Sequence, residues 1–214
     1  MKDSRVLKGP NNNGIDQSSQ WLKWQTVSQE KLADCKIFSV NKILASCDFE
    51  NSKTRSFFTL NCGAWVNIVA INDKRQLIMV EQYRHGIEEL TLELPGGSVE
   101  DADIDSHEAA KRELIEETGY IANNWTMLGM NHPNPALQNN LCYTYLAEDA
   151  YQIEQPEFDG TGTERIRTRF VDLCDIGALV LDGTISHALV ITALHFLSLK
   201  RPDLILNATP PLAG

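Results

Sequence analysis

The chain has 214 residues, of which 43% are hydrophobic, and this favours one domain with a full core and a small accessory sheet over two independent domains. A formal net charge of −10 argues against nonspecific binding to nucleic acid or to anionic membranes, because neither releases counterions to an acidic surface. The five cysteines are widely spaced and lack a C-x-x-C pair, which argues against a disulfide framework and a zinc site and fits a reducing cytoplasm.

The N-terminal third divides into two predicted segments. Residues 1–20 are polar and predict a disordered segment, without an apolar leader or a run long enough to span a membrane. Residues 21–62 are rich in β-forming residues and predict a small antiparallel sheet, with short strands at 37–40, 43–46 and 55–60. Trp24 is a candidate for stacking on a nucleotide base, although a core tryptophan is the more frequent case.

Three further strands lead to a glycine pair. Residues 64–71 and 76–83 flank a polar turn and predict a hairpin, and residues 89–94 predict the strand that delivers Gly96. Arg84 ends the second of these strands. Its guanidinium can make bidentate contacts to a phosphate, and a surface ion pair is the alternative interpretation.

A short acidic helix is predicted between Asp105, which can cap its N-terminus, and Gly119, which can adopt the left-handed stop. At about 100° per residue, Glu113, Glu116 and Glu117 fall on one helical face. Clustered carboxylates repel one another unless a cation lies among them, and oxygen ligands suit Mg²⁺ or Mn²⁺ rather than Zn²⁺. The helix is therefore a candidate site for a divalent metal.

Strands and helices continue to alternate beyond the acidic helix. The predicted strands span residues 125–130, 141–146 and 165–171, and the predicted helices span residues 176–181 and 186–200. The loop 132–140 is rich in proline and asparagine, as functional loops can be, and residues 206–214 predict a loose tail. This alternation predicts an α/β fold with a mixed sheet covered on both faces.

The acidic helix and the glycine before it resemble the sequence box of the Nudix hydrolases. The match consists of Gly97 followed by Arg112-Glu113-Leu114-x-Glu116-Glu117-x-Gly119-Tyr120. A solvated acidic helix without function is the alternative, and the combination of glycines, arginine and three glutamates argues against it. Gly97 and Arg112 are one residue further apart than in the family, and Asp103 stands where the family has glutamate.

The resemblance implies a Nudix-type α/β/α sandwich over residues 63–205 and roles for the residues of the box. It implies binding of Mg²⁺, or of Mn²⁺ in its place, by the Gly96 carbonyl and three glutamates, with Glu116 counted among the catalytic residues. The metal-binding glutamates are Glu113, Glu116 and Glu117. Gly97, Arg112 and Gly119 are expected to be structural, and Arg112 is expected to pair with a glutamate of the box and fix its geometry.

Features outside the box resemble the ADP-ribose pyrophosphatase branch of the family. Gln-Tyr-Arg, ending at Arg84, and Pro135, sixteen residues beyond Gly119, both match that branch. The branch implies a general base at Glu164 in the loop before the strand 165–171, and Asp159 and Glu157 remain competitors. It also implies a homodimer assembled through residues 21–62.

The expected activity is metal-dependent hydrolysis of ADP-ribose to AMP and ribose 5-phosphate. Hydrolysis of GDP-mannose or another nucleoside diphosphate sugar is the alternative within the enzyme class. A non-catalytic nucleotide sensor is the alternative outside it, and the presence of all three box glutamates argues against that role. The histidines receive no role, since His187 and His195 on the predicted last helix are interpreted as packing or surface residues.

Overall fold

The computed structural model describes residues 22–47, 53–156 and 165–206. The chain divides into two compact units, Met1–Gly63 with His132–Leu141, and Ala64–Asn131 with Cys142–Gly214. The predicted disordered segment 1–20 and all but the first residue of the predicted tail lie outside the described residues.

The first unit contains a three-stranded antiparallel sheet with the order β1-β2-β3. Its strands are β1 (Gln25–Asp34), β2 (Phe38–Ser46) and β3 (Thr54–Cys62). The two predicted runs 37–40 and 43–46 form the single strand β2, because β1 and β3 pair along its whole length. The sequence did not predict β1, and every residue of that strand is exposed.

The segment 132–141 belongs to the first unit although it lies far from β3 in the chain. The amide of Leu60 donates a hydrogen bond to the carbonyl of Leu137 at 2.7 Å. The amide of Cys62 donates to the side-chain oxygen of Asn139 at 3.1 Å. The loop that carries Pro135 is therefore fastened to the end of β3.

Within its described residues, the second unit contains a mixed eight-stranded sheet and four helices. Its strands are β4 (Trp65–Asn72), β5 (Gln76–Arg84), β6 (Glu89–Glu93), β7 (Gly96–Ser98), β8 (Tyr120–Ile121), β9 (Asn124–Asn131), β10 (Cys142–Gln152) and β11 (Ile166–Asp172). Its helices are α1 (Ser106–Thr118), α2 (Ile176–Leu181), α3 (Ala188–Lys200) and α4 (Pro202–Leu206). Strands β4 and β10 pair in parallel, and the other pairs are antiparallel.

Helices cover both faces of this sheet. Successive residues of β4 point to opposite faces, and each face packs against a different helix. Ile68 and Ala70 pack in one core cluster with Leu114 of α1. Val69 and Ile71 pack in the other cluster, which contains the apolar side of α3. The predicted α/β/α sandwich with a mixed sheet, together with a small N-terminal antiparallel sheet, is confirmed. Among the described residues, no helix has both the length and the apolar character needed to cross a bilayer.

Candidate active site

Helix α1 is fixed at both ends by the residues that the sequence predicted. The Asp105 carboxylate accepts hydrogen bonds from the amides of His107 at 2.8 Å and Glu108 at 3.0 Å. Gly119 ends the helix with φ of 71°, and a β-carbon there would lie 2.1 Å from the Glu154 carbonyl oxygen. These two residues fix where α1 begins and ends.

The glycine pair of β7 allows the carboxylates of α1 to approach the backbone closely. The Gly96 amide donates a hydrogen bond of 2.9 Å to Oε2 of Glu117, whose side chain is buried. A β-carbon on Gly97 would lie 2.4 Å from Oε1 of Glu113, so any larger residue there would displace that carboxylate. Gly96 faces Asn67 across the β4–β7 pair. The acidic face of α1 therefore lies against β7.

Arg112 links Glu113 and Glu116 on this acidic face. Its Nη1 donates to Oε1 of Glu113 and to Oε2 of Glu116, both at 2.9 Å, and its Nη2 donates to the Ser98 carbonyl at 2.9 Å. The carboxylates of Glu113 and Glu116 thus converge on a single nitrogen. Hydrogen bonding to Asp103, together with the two neighbouring glutamates, raises the pKa of Arg112 far above its ordinary value.

Asp103 closes the ion-pair network from the segment between β7 and α1. Its carboxylate accepts hydrogen bonds from Nε and Nη2 of Arg112 at 3.2 and 3.0 Å, and from the Glu100 amide at 2.8 Å. The hydrogen bonds from Arg112 hold the pKa of Asp103 below its ordinary value. This segment therefore brings a carboxylate to Arg112.

The donor atoms of this region are of the kind that a hard divalent cation binds. Glu113, Glu116 and Glu117 offer carboxylate oxygens, and Gly96 offers a carbonyl oxygen. In the described part of the chain, no group of three or more His, Cys, Asp or Glu side chains is close enough together to form a metal centre. Arg112 instead holds two of the three glutamates. The donor chemistry fits a metal, and the arginine supplies the charge compensation in this arrangement.

Arg84 lies at the end of β5, and its guanidinium forms a bidentate ion pair with Glu93. Nε and Nη2 donate to the two carboxylate oxygens, each at 2.7 Å. Thr91 and His187 also donate to this carboxylate. Sequence reasoning missed this cluster and gave His187 no role, because Glu93 and His187 are separated by 94 positions and no local pattern connects them.

The remaining candidate residues lie in the first unit or outside the described residues. Trp24 is 44% exposed and meets Phe57 edge to face at a centroid distance of 5.1 Å. Pro135 lies in the segment 132–141 of the same unit. The candidate base Glu164 and its competitors Asp159 and Glu157 lie outside the described residues.

Comparison with known proteins places this site in a family. The NUDIX domain model matches residues 63–194, more than half of the chain. The ADP-ribose pyrophosphatase of Bacillus subtilis is 27% identical over 181 residues, which cover 84% of this chain and 95% of that protein. The CMP-5'-(N-acetyl-N-hydroxy-3-aminopropyl)phosphonate hydrolase of Streptomyces rubellomurinus is 33% identical over 162 residues, 76% of each chain.

A solved structure supports the same fold. The crystal structure of an ADP compounds hydrolase matches with a TM-score of 0.72 at 24% identity and covers 85% of this chain and 95% of that one. Nudix hydrolases generally use divalent metal ions. The glycine pair beneath the three glutamates of α1 and the family match over residues 63–194 lead to one conclusion: the chain belongs to the NUDIX domain family and is a hydrolase similar to ADP-ribose pyrophosphatases.

Proposed function

We propose that the chain hydrolyses the pyrophosphate bond of ADP-ribose and releases AMP and ribose 5-phosphate. The observation that carries this proposal is the acidic face of α1, with the Glu113 carboxylate against Gly97 and the Glu117 carboxylate on the Gly96 amide. The similarity to an ADP-ribose pyrophosphatase over nearly its full length supports the choice of substrate. Water adds its oxygen to one phosphorus, and the bond from that phosphorus to the bridging oxygen breaks.

We propose that Mg²⁺, with Mn²⁺ as a substitute, is the metal of this site. Its ligands would be the Gly96 carbonyl and the carboxylates of Glu113, Glu116 and Glu117. When bound, the ion supplies neutralisation of the diphosphate, polarisation of the P–O bond and a lower pKa for the attacking water. Arg112 keeps the carboxylates of Glu113 and Glu116 directed towards one point, and this is the positioning role expected of a residue behind the ligands.

Four residues outside the box are proposed to act on the substrate. Arg84 would contact the diphosphate, and its side chain is 46% exposed while it is held by Glu93. Trp24 would stack on the base, and Pro135 would shape the loop on the substrate side. Glu164 would accept the proton of the attacking water. The products are then the two monophosphates.

A hydrolysis screen over nucleoside diphosphate sugars in the presence of Mg²⁺ tests this function. We expect ADP-ribose to give the highest kcat/KM, with AMP and ribose 5-phosphate as products and with loss of turnover when EDTA is added. A higher kcat/KM for GDP-mannose would identify GDP-mannose as the substrate instead. Tight binding of ADP-ribose without any turnover would instead identify a sensor and contradict the proposal.

We further propose that the chain is a cytoplasmic homodimer assembled through the first unit. The edge strand β1 is exposed along its whole length, and the unit exposes several large apolar side chains. These residues include Leu22, Val27, Leu32, Phe57 and Phe58, each at least 40% exposed. A second copy would cover this surface through a symmetric contact.

Sedimentation velocity at micromolar concentration is expected to show a dimer, and Val27→Asp is expected to shift it towards monomer, since a buried carboxylate would lack a partner. Leu181→Asp is the matched control, because Leu181 is an exposed apolar residue of the second unit. A parent protein that sediments only as a monomer would contradict the dimer. If Val27→Asp and Leu181→Asp dissociate the dimer equally, the dimer contact does not lie on the first unit.

A further inference from the structure

Glu93 is a buried carboxylate that gathers donors from three parts of the second unit. It is the last residue of β6, is 3% exposed, and lies three residues before Gly96. It accepts two hydrogen bonds of 2.7 Å from Arg84 at the end of β5. It also accepts from the Thr91 hydroxyl at 2.6 Å and is bonded to Nδ1 of His187 at 2.8 Å. Each of its oxygens therefore has more than one partner.

The chemistry of the carboxylate fixes the direction of these bonds. Burial alone would raise the pKa of Glu93, but hydrogen bonds from Arg84, His187 and Thr91 outweigh it and hold the pKa well below its ordinary value. An ionised carboxylate only accepts hydrogen bonds, so Nδ1 of His187 carries a proton and donates it. A buried charge of this kind is stable only while its partners remain in place.

The same contacts restrict the guanidinium of Arg84. Glu93 takes two of its five N–H donors, and the planar fork cannot turn without breaking both bonds. The Arg84 side chain is 46% exposed, whereas the Glu93 side chain is 4% exposed. The ion pair thus holds the half-exposed guanidinium of Arg84 against the buried carboxylate of Glu93. A guanidinium already held in this way loses less rotamer freedom when an anion binds to it.

The start of helix α3 connects the Arg84–Glu93 ion pair to the region of the glycine pair. His187 is the residue immediately before α3 and so links the start of that helix to Glu93. In the first turn of α3, the Leu189 carbonyl accepts a hydrogen bond of 3.3 Å from the Asn67 side chain. Asn67 is the residue of β4 that faces Gly96. The start of α3 is therefore hydrogen-bonded both to Glu93, which holds Arg84, and to β4, the strand beside β7.

We propose that Glu93 and His187 are positioning residues that hold Arg84 in the orientation in which it contacts the diphosphate of the substrate. This inference rests on the proposed function, in which Arg84 binds that diphosphate. His187 acts on the substrate only through Glu93 and Arg84, so its contribution must disappear when Arg84 is removed.

A double-mutant cycle tests this dependence. We expect His187→Ala to raise KM for ADP-ribose by about tenfold, as the loss of a supporting hydrogen bond commonly does, with little change in kcat. In an Arg84→Ala background the same substitution is expected to change KM by less than about twofold, the limit within which independent effects add. His187→Asn keeps an N–H donor near the position of Nδ1 and is expected to restore most of the parent KM.

Two variants control for changes in folding. His195→Ala removes an exposed histidine of α3, and parent kinetics are expected for it. Thr91→Val removes one donor to Glu93 with almost no change in shape, so it replaces His187→Ala in the cycle if that variant fails to fold. An unchanged melting temperature with a raised KM separates positioning from a general loss of structure.

The cycle is also run on the dissociation constant for ADP, measured by calorimetry, because that reading needs no turnover. Equal effects of His187→Ala in the parent protein and in the Arg84→Ala variant would overturn the positioning role while the proposed function stands. A parent protein that binds ADP but hydrolyses no nucleoside diphosphate compound would overturn the proposed function, and the ADP cycle would still decide the positioning role. A parent that does neither would overturn both.

Discussion

Glu117→Gln is expected to lower kcat for ADP-ribose by about 10²–10³-fold, since polarisation by a bound metal contributes several kcal/mol to the transition state. The substitution removes a negative charge from the proposed metal site without changing the shape of the side chain. The fold should survive, because the amide oxygen can still accept the hydrogen bond from the Gly96 amide. Turnover against Mg²⁺ concentration and the melting temperature measure the two effects separately.

The matched control for this experiment is Glu108→Gln on the same helix. The Glu108 carboxylate pairs with Lys111 at 2.8 Å, and both side chains are at least 40% exposed. Exposed pairs of this kind contribute less than about 1 kcal/mol, so parent kinetics and nearly parent stability are expected. The metal assignment is wrong if Glu117→Gln hydrolyses ADP-ribose at the parent rate.

Glu164→Gln is expected to lower kcat by about 10²–10⁴-fold, which is the usual contribution of a positioned acid–base group. The amide cannot accept the proton of the attacking water, whereas the proposed metal ligands on α1 are untouched. Added Mg²⁺ should therefore not raise the kcat of Glu164→Gln, while it should partly restore the activity of a variant that has lost a metal ligand. The measurement is kcat as a function of Mg²⁺ concentration for both kinds of variant.

Two acids of the segment 157–164 test the choice of base. Asp159→Asn and Glu157→Gln are expected to retain near-parent turnover if Glu164 is the base. Near-normal turnover by Glu164→Gln, together with loss of activity in one of these two variants, would move the base to the competing residue. The hydrolytic reaction would then stand with a different proton acceptor.

The acidic helix could be predicted closely because its determinants are local. Its cap at Asp105 and its left-handed stop at Gly119 lie within one turn of the residues that they fix. The alternation of strands and helices along the chain likewise predicted a sheet with two covered faces. The sequence located the ends of α1, β4 and β5 to within one residue, whereas β10 continues six residues beyond the predicted strand 141–146.

Two features could not be predicted for a different reason. Strand β1 has no buried face, so its sequence lacks the alternation that identifies a strand, and only pairing with β2 defines it. The bond between Glu93 and His187 joins β6 to the start of α3, and neither residue has a neighbour in sequence that indicates the other. Both features arise from tertiary contacts.

The first unit is discontinuous, and this determines when it can form during synthesis. Its last strand, β3, ends at Cys62, but the contacts of Leu60 and Cys62 with the segment 132–141 require the chain to be made through Asn139. The central strands β4 and β5 and the helix α1 emerge in between. Closing so long a loop is entropically costly and slow relative to local hairpin formation. The strands of the small sheet can therefore pair before their last hydrogen bonds form, because those bonds must wait until Leu137 and Asn139 have been made.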